Sequence, residues 1–124
     1  MNIYRENILD HYKNPINFGN LDSYDIHARE NNPLCGDEVE IKIKLNSNKI
    51  KEVKFQGKGC AISLASTDIL LNYIKGKSIE DIKKLTNKDI IDLLGIHISG
   101  IRLKCAILPL IALENGVKEY ELNS

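Results

Sequence analysis

The sequence predicts an α+β domain, and two observations carry that reading. In "EVEIKIKL", Val39, Ile41, Ile43 and Leu45 alternate with Glu38, Glu40, Lys42 and Lys44, the period of a strand with one buried face and one wet face. From "GKGCAISLASTDILLNYIKG" onward the apolar residues recur at three and four positions, the period of helices that pack by one side. The 124 residues hold no repeat, no low-complexity tract and no Pro/Gly/Ser linker, so residues 1–124 are expected to form a single domain.

The elements follow in order. "YRENILDHYK" places Tyr4, Ile8 and Tyr12 on one helical stripe and ends before "NPINFGN", whose Pro and Gly break a helix. "SYDIHA" puts Tyr24, Ile26 and Ala28 on one side, as an edge strand would. "NSNK" turns the Glu38–Leu45 strand back into "IKEVKFQ", where Val53 and Phe55 face one way; the pair is a hairpin of a half-buried antiparallel sheet. In the next helix Ile62, Ala65, Ile69 and Ile74, with Leu64 and Leu70, form the apolar side, and Gly76 is placed to end it. "SIEDIKKL" and "TNKDIIDLL" each open on a capping box, Ser78 with Asp81 and Thr86 with Asp89. "GIHISGIRLKC" reads as a loop into a last helix from about Cys105, because Pro109 fits only near a helix start; Gly116 weakens its later turns.

Composition narrows the function. With 17 basic and 17 acidic side chains, no global field draws in nucleic acid or an anionic membrane. Trp is absent and aromatics are 6%, too few for a base-stacking platform. No apolar run approaches the roughly 20 residues of a membrane span, and "MNIYRENILDHY" has no signal-peptide pattern. The expected compartment is the cytoplasm, where thiols stay reduced.

The three cysteines, Cys35, Cys60 and Cys105, are 25 and 45 positions apart with no CxxC. Buried structural thiols are the plain alternative, but their addresses differ from those of core residues. Cys35 precedes a strand, Cys60 opens a helix after Gly57 and Gly59, and Cys105 is expected to open the last helix. A helix start favours a thiolate, and Lys104 and Arg102 act in the same sense at Cys105. If these places meet at one end of the domain, the three thiolates and Asp37 make four ligands, suited to Zn²⁺ or to an iron–sulfur cluster with one weak position. Gly36 lets the backbone turn so that Cys35 and Asp37 converge. The hard carboxylate of Asp37 matches soft, sulfur-bound iron poorly, which makes the site easier to open than four thiolates would be.

"CGD", "GxGCAISxAS" and "RxKCAxL", preceded by "DHYKNPINFG", resemble the U-type iron–sulfur assembly proteins, the IscU/NifU/SufU family, from about Tyr4 to the last helix. The resemblance implies a three-stranded antiparallel sheet with helices on one face. It also implies Cys35, Cys60 and Cys105 as cluster or metal ligands, Asp37 as the associated carboxylate, and a cysteine desulfurase as the partner that supplies persulfide sulfur. Two features are mixed. Lys104 stands where IscU-type proteins have His, so "RLKC" is similar to the SufU branch, yet the long SufU insertion before the third cysteine is missing. "HISGIRLKC" stands in place of the Leu-Pro-Pro-Val-Lys chaperone motif.

Three functions follow as expectations. The first is a scaffold that builds a labile [2Fe–2S] cluster on Cys35, Asp37, Cys60 and Cys105 and passes it to acceptor apo-proteins. The second is a zinc-dependent sulfurtransferase in which Cys35, or its rival Cys105, takes the persulfide sulfur, with Lys104 and Arg102 stabilising the charge. The third is an interaction module on a structural zinc, disfavoured because a closed site rarely needs Asp beside an electropositive thiol. Arg102 could instead pair with Asp37. Tyr4 could touch the desulfurase or a second copy of the protein. His11, His27 and His97 read as ordinary helix, strand and loop residues. Lys42, Lys44, Lys49, Lys51 and Lys54 read mostly as the wet face of the hairpin, and Ser63 and Ser66 as helix-lining hydroxyls.

Overall fold

A computed structural model describes residues 3–34 and 36–123. The order of elements is α1 (Ile3–Lys13), β1 (Ile26–Asn32), β2 (Asp37–Asn46), β3 (Lys49–Lys58), α2 (Ala61–Ile74), α3 (Ile79–Lys83), α4 (Asn87–Leu94) and α5 (Ile101–Leu122). The strands form one antiparallel sheet in the order β1-β2-β3. Its buried face is written in the alternation: Ile26, Ile43 and Val53 stand in one cross-strand row and Ala28, Ile41 and Phe55 in the next, all nearly inaccessible. Helices α2 and α5 cover that face, so the α+β architecture is the expected one. On the wet face Glu40 pairs with both His27 and Arg29.

The hairpin between β2 and β3 turns on Ser47 and Asn48, both at positive φ (53° and 66°), the two-residue geometry whose twist matches a right-twisted strand pair. The stretch "NPINFG" lies along the outer edge of β3: Phe55 N–H donates to the Asn17 carbonyl and Gly19 N–H to that of Phe55. Phe18 meets the Phe55 ring edge to face at 5.5 Å. An otherwise open strand edge is thereby covered. Both expected capping boxes are present, on α3 and α4.

Four expectations are corrected. In α1 only Ile8 of the stripe is buried; Tyr4 and Tyr12 are exposed, because a lone amphipathic helix here needs one anchor against α2 rather than a full stripe. Strand β1 begins at Ile26, leaving Tyr24 outside it and exposed. In α2, Ile62 and Leu64 are only half-buried, while Ser63, Ser66, Thr67 and Asp68 are inside, since the helix is enclosed by α1, α5 and the sheet.

The fourth concerns α5, which starts at Ile101, one turn earlier than expected, and carries Pro109 in its interior. The missing N–H of Pro109 is the one that would have bonded the carbonyl of Cys105. The cost is offset by burial of Leu108, Pro109, Leu110, Ala112 and Leu113, and Ser66 donates to the neighbouring Ala106 carbonyl at 2.6 Å. Gly116 has a packing reason: a Cβ there would stand 2.9 Å from that of Ala28 and 3.1 Å from Ile26 Cγ2. Helix α5 crosses β1 at the one residue that lets it lie close.

Candidate metal centre

The site lies at the end of the sheet where β1 hands over to β2. Asn32, the last residue of β1, is the register partner of Asp37, the first of β2. The turn between them closes through a Gly36 N–H bond to the Asn32 carbonyl at 2.9 Å. Gly36 has φ +72°, where an L side chain is strained, so the turn requires glycine there. Cys35, the central expectation of the sequence, lies outside the described residues.

Asp37 is fully buried. Its Oδ1 accepts the backbone N–H of Cys60 at 2.9 Å, and its Oδ2 has no hydrogen-bond partner among the described residues. Gly59 makes the approach possible: a Cβ there would run into the Asp37 carboxylate. Gly57 does the same for the strands, since a Cβ would meet the Glu38 carbonyl. The "GKG" before Cys60 therefore brings the end of β3 and the start of α2 against the first residue of β2.

Cys60 is the N-cap of α2 and is exposed; its sulfur accepts the Ser63 N–H at 3.5 Å. Cys105 is buried, at 3% exposure, in the second turn of α5, which corrects the expectation that it opens the helix. Its sulfur is nevertheless in place. Asp37, Cys60 and Cys105 each offer a donor atom, and these lie within 4.8 Å of one another. Two sulfurs and a buried carboxylate oxygen without a partner are what a thiophilic cation needs. An unpartnered buried carboxylate is otherwise costly, so the donor set fits a metal.

The residues expected to carry charge near the thiols are placed as follows. Lys104 is exposed on α5. Arg102 is exposed and makes no ion pair with Asp37, whose Oδ2 is unpartnered among the described residues. His27 pairs with Glu40 on the surface and His97 lies exposed in the loop before α5. His11 is more than an ordinary helix residue: its Nδ1 lies 2.5 Å from Oδ2 of the fully buried Asp68. Asp68 also accepts the N–H groups of Ile16 (3.0 Å) and Asn17 (2.8 Å). This carboxylate ties α1 and the "NPINFG" stretch to α2. Sequence reasoning missed it, although a charged residue inside the apolar run "STDILL" was a signal. Ser63 and Ser66 serve the helices, as expected.

The fold and the donor set together define a small α+β protein with two cysteines and an aspartate placed to hold a metal ion at one end of its sheet. The NifU-like N-terminal domain profile matches residues 3–124, and the chain belongs to that family of U-type iron–sulfur assembly proteins. Among its relatives, the zinc-dependent sulfurtransferase SufU of Bacillus subtilis is 39% identical, over 96% of this chain and 92% of the relative. That alignment runs over 136 residues, so it inserts residues which this 124-residue chain lacks. The iron–sulfur cluster assembly scaffold protein IscU of Escherichia coli is 30% identical over 95% of this chain and 94% of its own. A Fervidobacterium islandicum crystal structure, described as a cluster assembly scaffold for the SUF system, superposes with a TM-score of 0.78 at 29% identity, covering 90% of this chain and 94% of that one.

Proposed function

We propose that the chain, acting as one scaffold domain, is a cytoplasmic carrier on which an iron–sulfur cluster is assembled from desulfurase-derived sulfur and passed to acceptor proteins. The observation that supports this is the buried, half-partnered Asp37 carboxylate within 4.8 Å of the Cys60 and Cys105 sulfurs. Cys35, two residues before Asp37, is the proposed fourth ligand.

Sulfur arrives by exchange. A thiolate of this chain attacks the outer sulfur of the desulfurase persulfide, a new S–S bond forms, and the desulfurase cysteine leaves as a thiolate. Cys35 is the proposed acceptor, because the burial of Cys105 favours a ligand role over attack on a partner's persulfide. Lys104 is the proposed charge beside the sulfurated site. The cluster is cargo, and the hard oxygen of Asp37 is its weakest tie.

A second reading is favoured by the similarity to the Bacillus subtilis sulfurtransferase and by Lys104 in place of His. Zinc would then hold the thiolates ready, and sulfur alone would be relayed. An anaerobic absorption and circular-dichroism time course tests the two. The protein is mixed with a cysteine desulfurase, cysteine, ferrous iron and a reductant, with zinc measured before and after. Visible cluster bands that grow as zinc leaves support the scaffold, and Asp37→Ala should then lengthen the lifetime of the cluster. A colourless protein that keeps one zinc and speeds the desulfurase overturns the scaffold in favour of the relay.

A further inference from the structure

Beside the metal centre lies a cavity of about 540 Å³ lined by residues of α1, α2 and the α4–α5 connection. Its polar groups are Arg5, His97 and Arg102, and its walls include Ile8, Leu9 and Ile62. No carboxylate lines it. The chain has three arginines, Arg5, Arg29 and Arg102, against 14 lysines. Arg29 is paired with Glu40. The other two both line this cavity and have no ion pair among the described residues.

We infer that this cavity is a binding site for a small aliphatic carboxylate anion carrying two or three carboxyl groups. Guanidinium groups clamp carboxylates through paired N–H donors, as lysine ammonium groups do not. In a chain of zero net charge, converging two of three arginines with a histidine makes a local positive basin. The amino end of α2, where Ala61 and Ile62 line the cavity, adds the positive pole of a 14-residue helix. The apolar walls suit an alkyl body and give a bare inorganic anion nothing to bury. The volume lies within the range of small-molecule sites, about 300–1,000 Å³. Ala61 directly follows Cys60, and Arg102 stands one helical turn before Cys105, so the cavity flanks the thiols while sharing no residue with them.

The test is a calorimetric titration of the zinc-loaded full chain with tricarballylate, which chelates metal weakly, with zinc content tracked throughout. One saturable site with Kd on the order of 1 mM or tighter is expected. Arg5→Gln and Arg102→Gln should each weaken it about tenfold or more, as loss of a charge-assisted clamp does. Both side chains are exposed, so the thermal midpoint should not move. Lys118→Gln, remote from the cavity, should bind like the parent. Absence of saturation by about 20 mM, far above that Kd, would overturn the inference, as would arginine variants that bind like the parent. Inorganic phosphate that binds as tightly as tricarballylate would also overturn it, by showing an anion hole in which the apolar walls count for nothing.

Discussion

Asp37→Asn separates a ligand from a structural residue, because the two roles predict opposite signs. The side chain is fully buried, Oδ1 holds the Cys60 N–H at 2.9 Å, and Oδ2 has no partner among the described residues. Asparagine keeps the shape and the Oδ1 acceptor while removing the charge. Burying an unpaired ion costs several kcal/mol after relaxation, and an unpartnered amide N–H₂ left in its place costs about 1–3 kcal/mol. The difference predicts that metal-free Asp37→Asn is more stable than the parent by about 1–3 kcal/mol. Zinc binding should move the other way, weakening at least about 100-fold, or about 2.7 kcal/mol, because a charged donor has been exchanged for a neutral one. Urea unfolding of the reduced, chelator-treated proteins reads the first quantity, with equal m-values as the control for an unchanged unfolded state. Competition against a chromogenic chelator reads the second. A variant that is less stable without metal yet binds zinc as tightly as the parent would show that the carboxylate is a structural hydrogen-bond acceptor and not a ligand.

The other predictions bear on how the site is held. Gly59→Ala sets a methyl group against the Asp37 carboxylate at φ +149°; it should cost about 1–3 kcal/mol and remove bound zinc, read by circular dichroism and elemental analysis, while the fold persists. Asp68→Ala leaves His11 and the Ile16 and Asn17 N–H groups without their acceptor, and should lose about 3–5 kcal/mol in urea unfolding. Wild-type stability there would mean that α1 is held by its side-chain packing rather than by this carboxylate. On the wet face, the hydrogen bond from His27, helped by Arg29, holds the Glu40 carboxyl below its ordinary value of 4.5. A depressed carboxylate contributes stability above its unfolded value and loses it as pH falls through the folded one. Thermal midpoints of the parent and Glu40→Gln should therefore differ near neutrality and converge as pH falls through the depressed carboxyl value, below the ordinary 4.5.

Much of the fold was legible because its signals are local. Period-two alternation gave the Glu38–Leu45 strand and the returning strand, and the Ser78/Asp81 and Thr86/Asp89 boxes gave both short helices. What was misread depends on tertiary packing. Read locally, Pro109 marks a helix start, because an isolated helix is broken by a proline inside it; in α5 the burial of its neighbours offsets the lost bond. The tyrosines of α1 fit a stripe, but nothing local says whether a helix buries one residue or three. In the site, Asp37 and the glycines before Cys60 were readable as motif, whereas the collision that makes Gly59 necessary exists only once β2 and α2 are together. Proximity in sequence sets Arg102 near Cys105, and the fold alone shows that it also lines the cavity beside Arg5 of α1.

The geometry also bears on why a carrier would keep a carboxylate here at all. Asp37 does two things with two oxygens: Oδ1 fixes the backbone of Cys60, and Oδ2 has no partner among the described residues. A hard oxygen grips a sulfur-bound iron weakly, which favours departure of the cargo. With Asp37 as the proposed ligand, departure would leave its buried carboxyl without a cation, which favours reloading. A fourth cysteine would remove the first effect, and an apolar residue would remove the second. Only a buried acid sets the two against each other, and a protein that must both accept and surrender a metal group needs the intermediate grip that results.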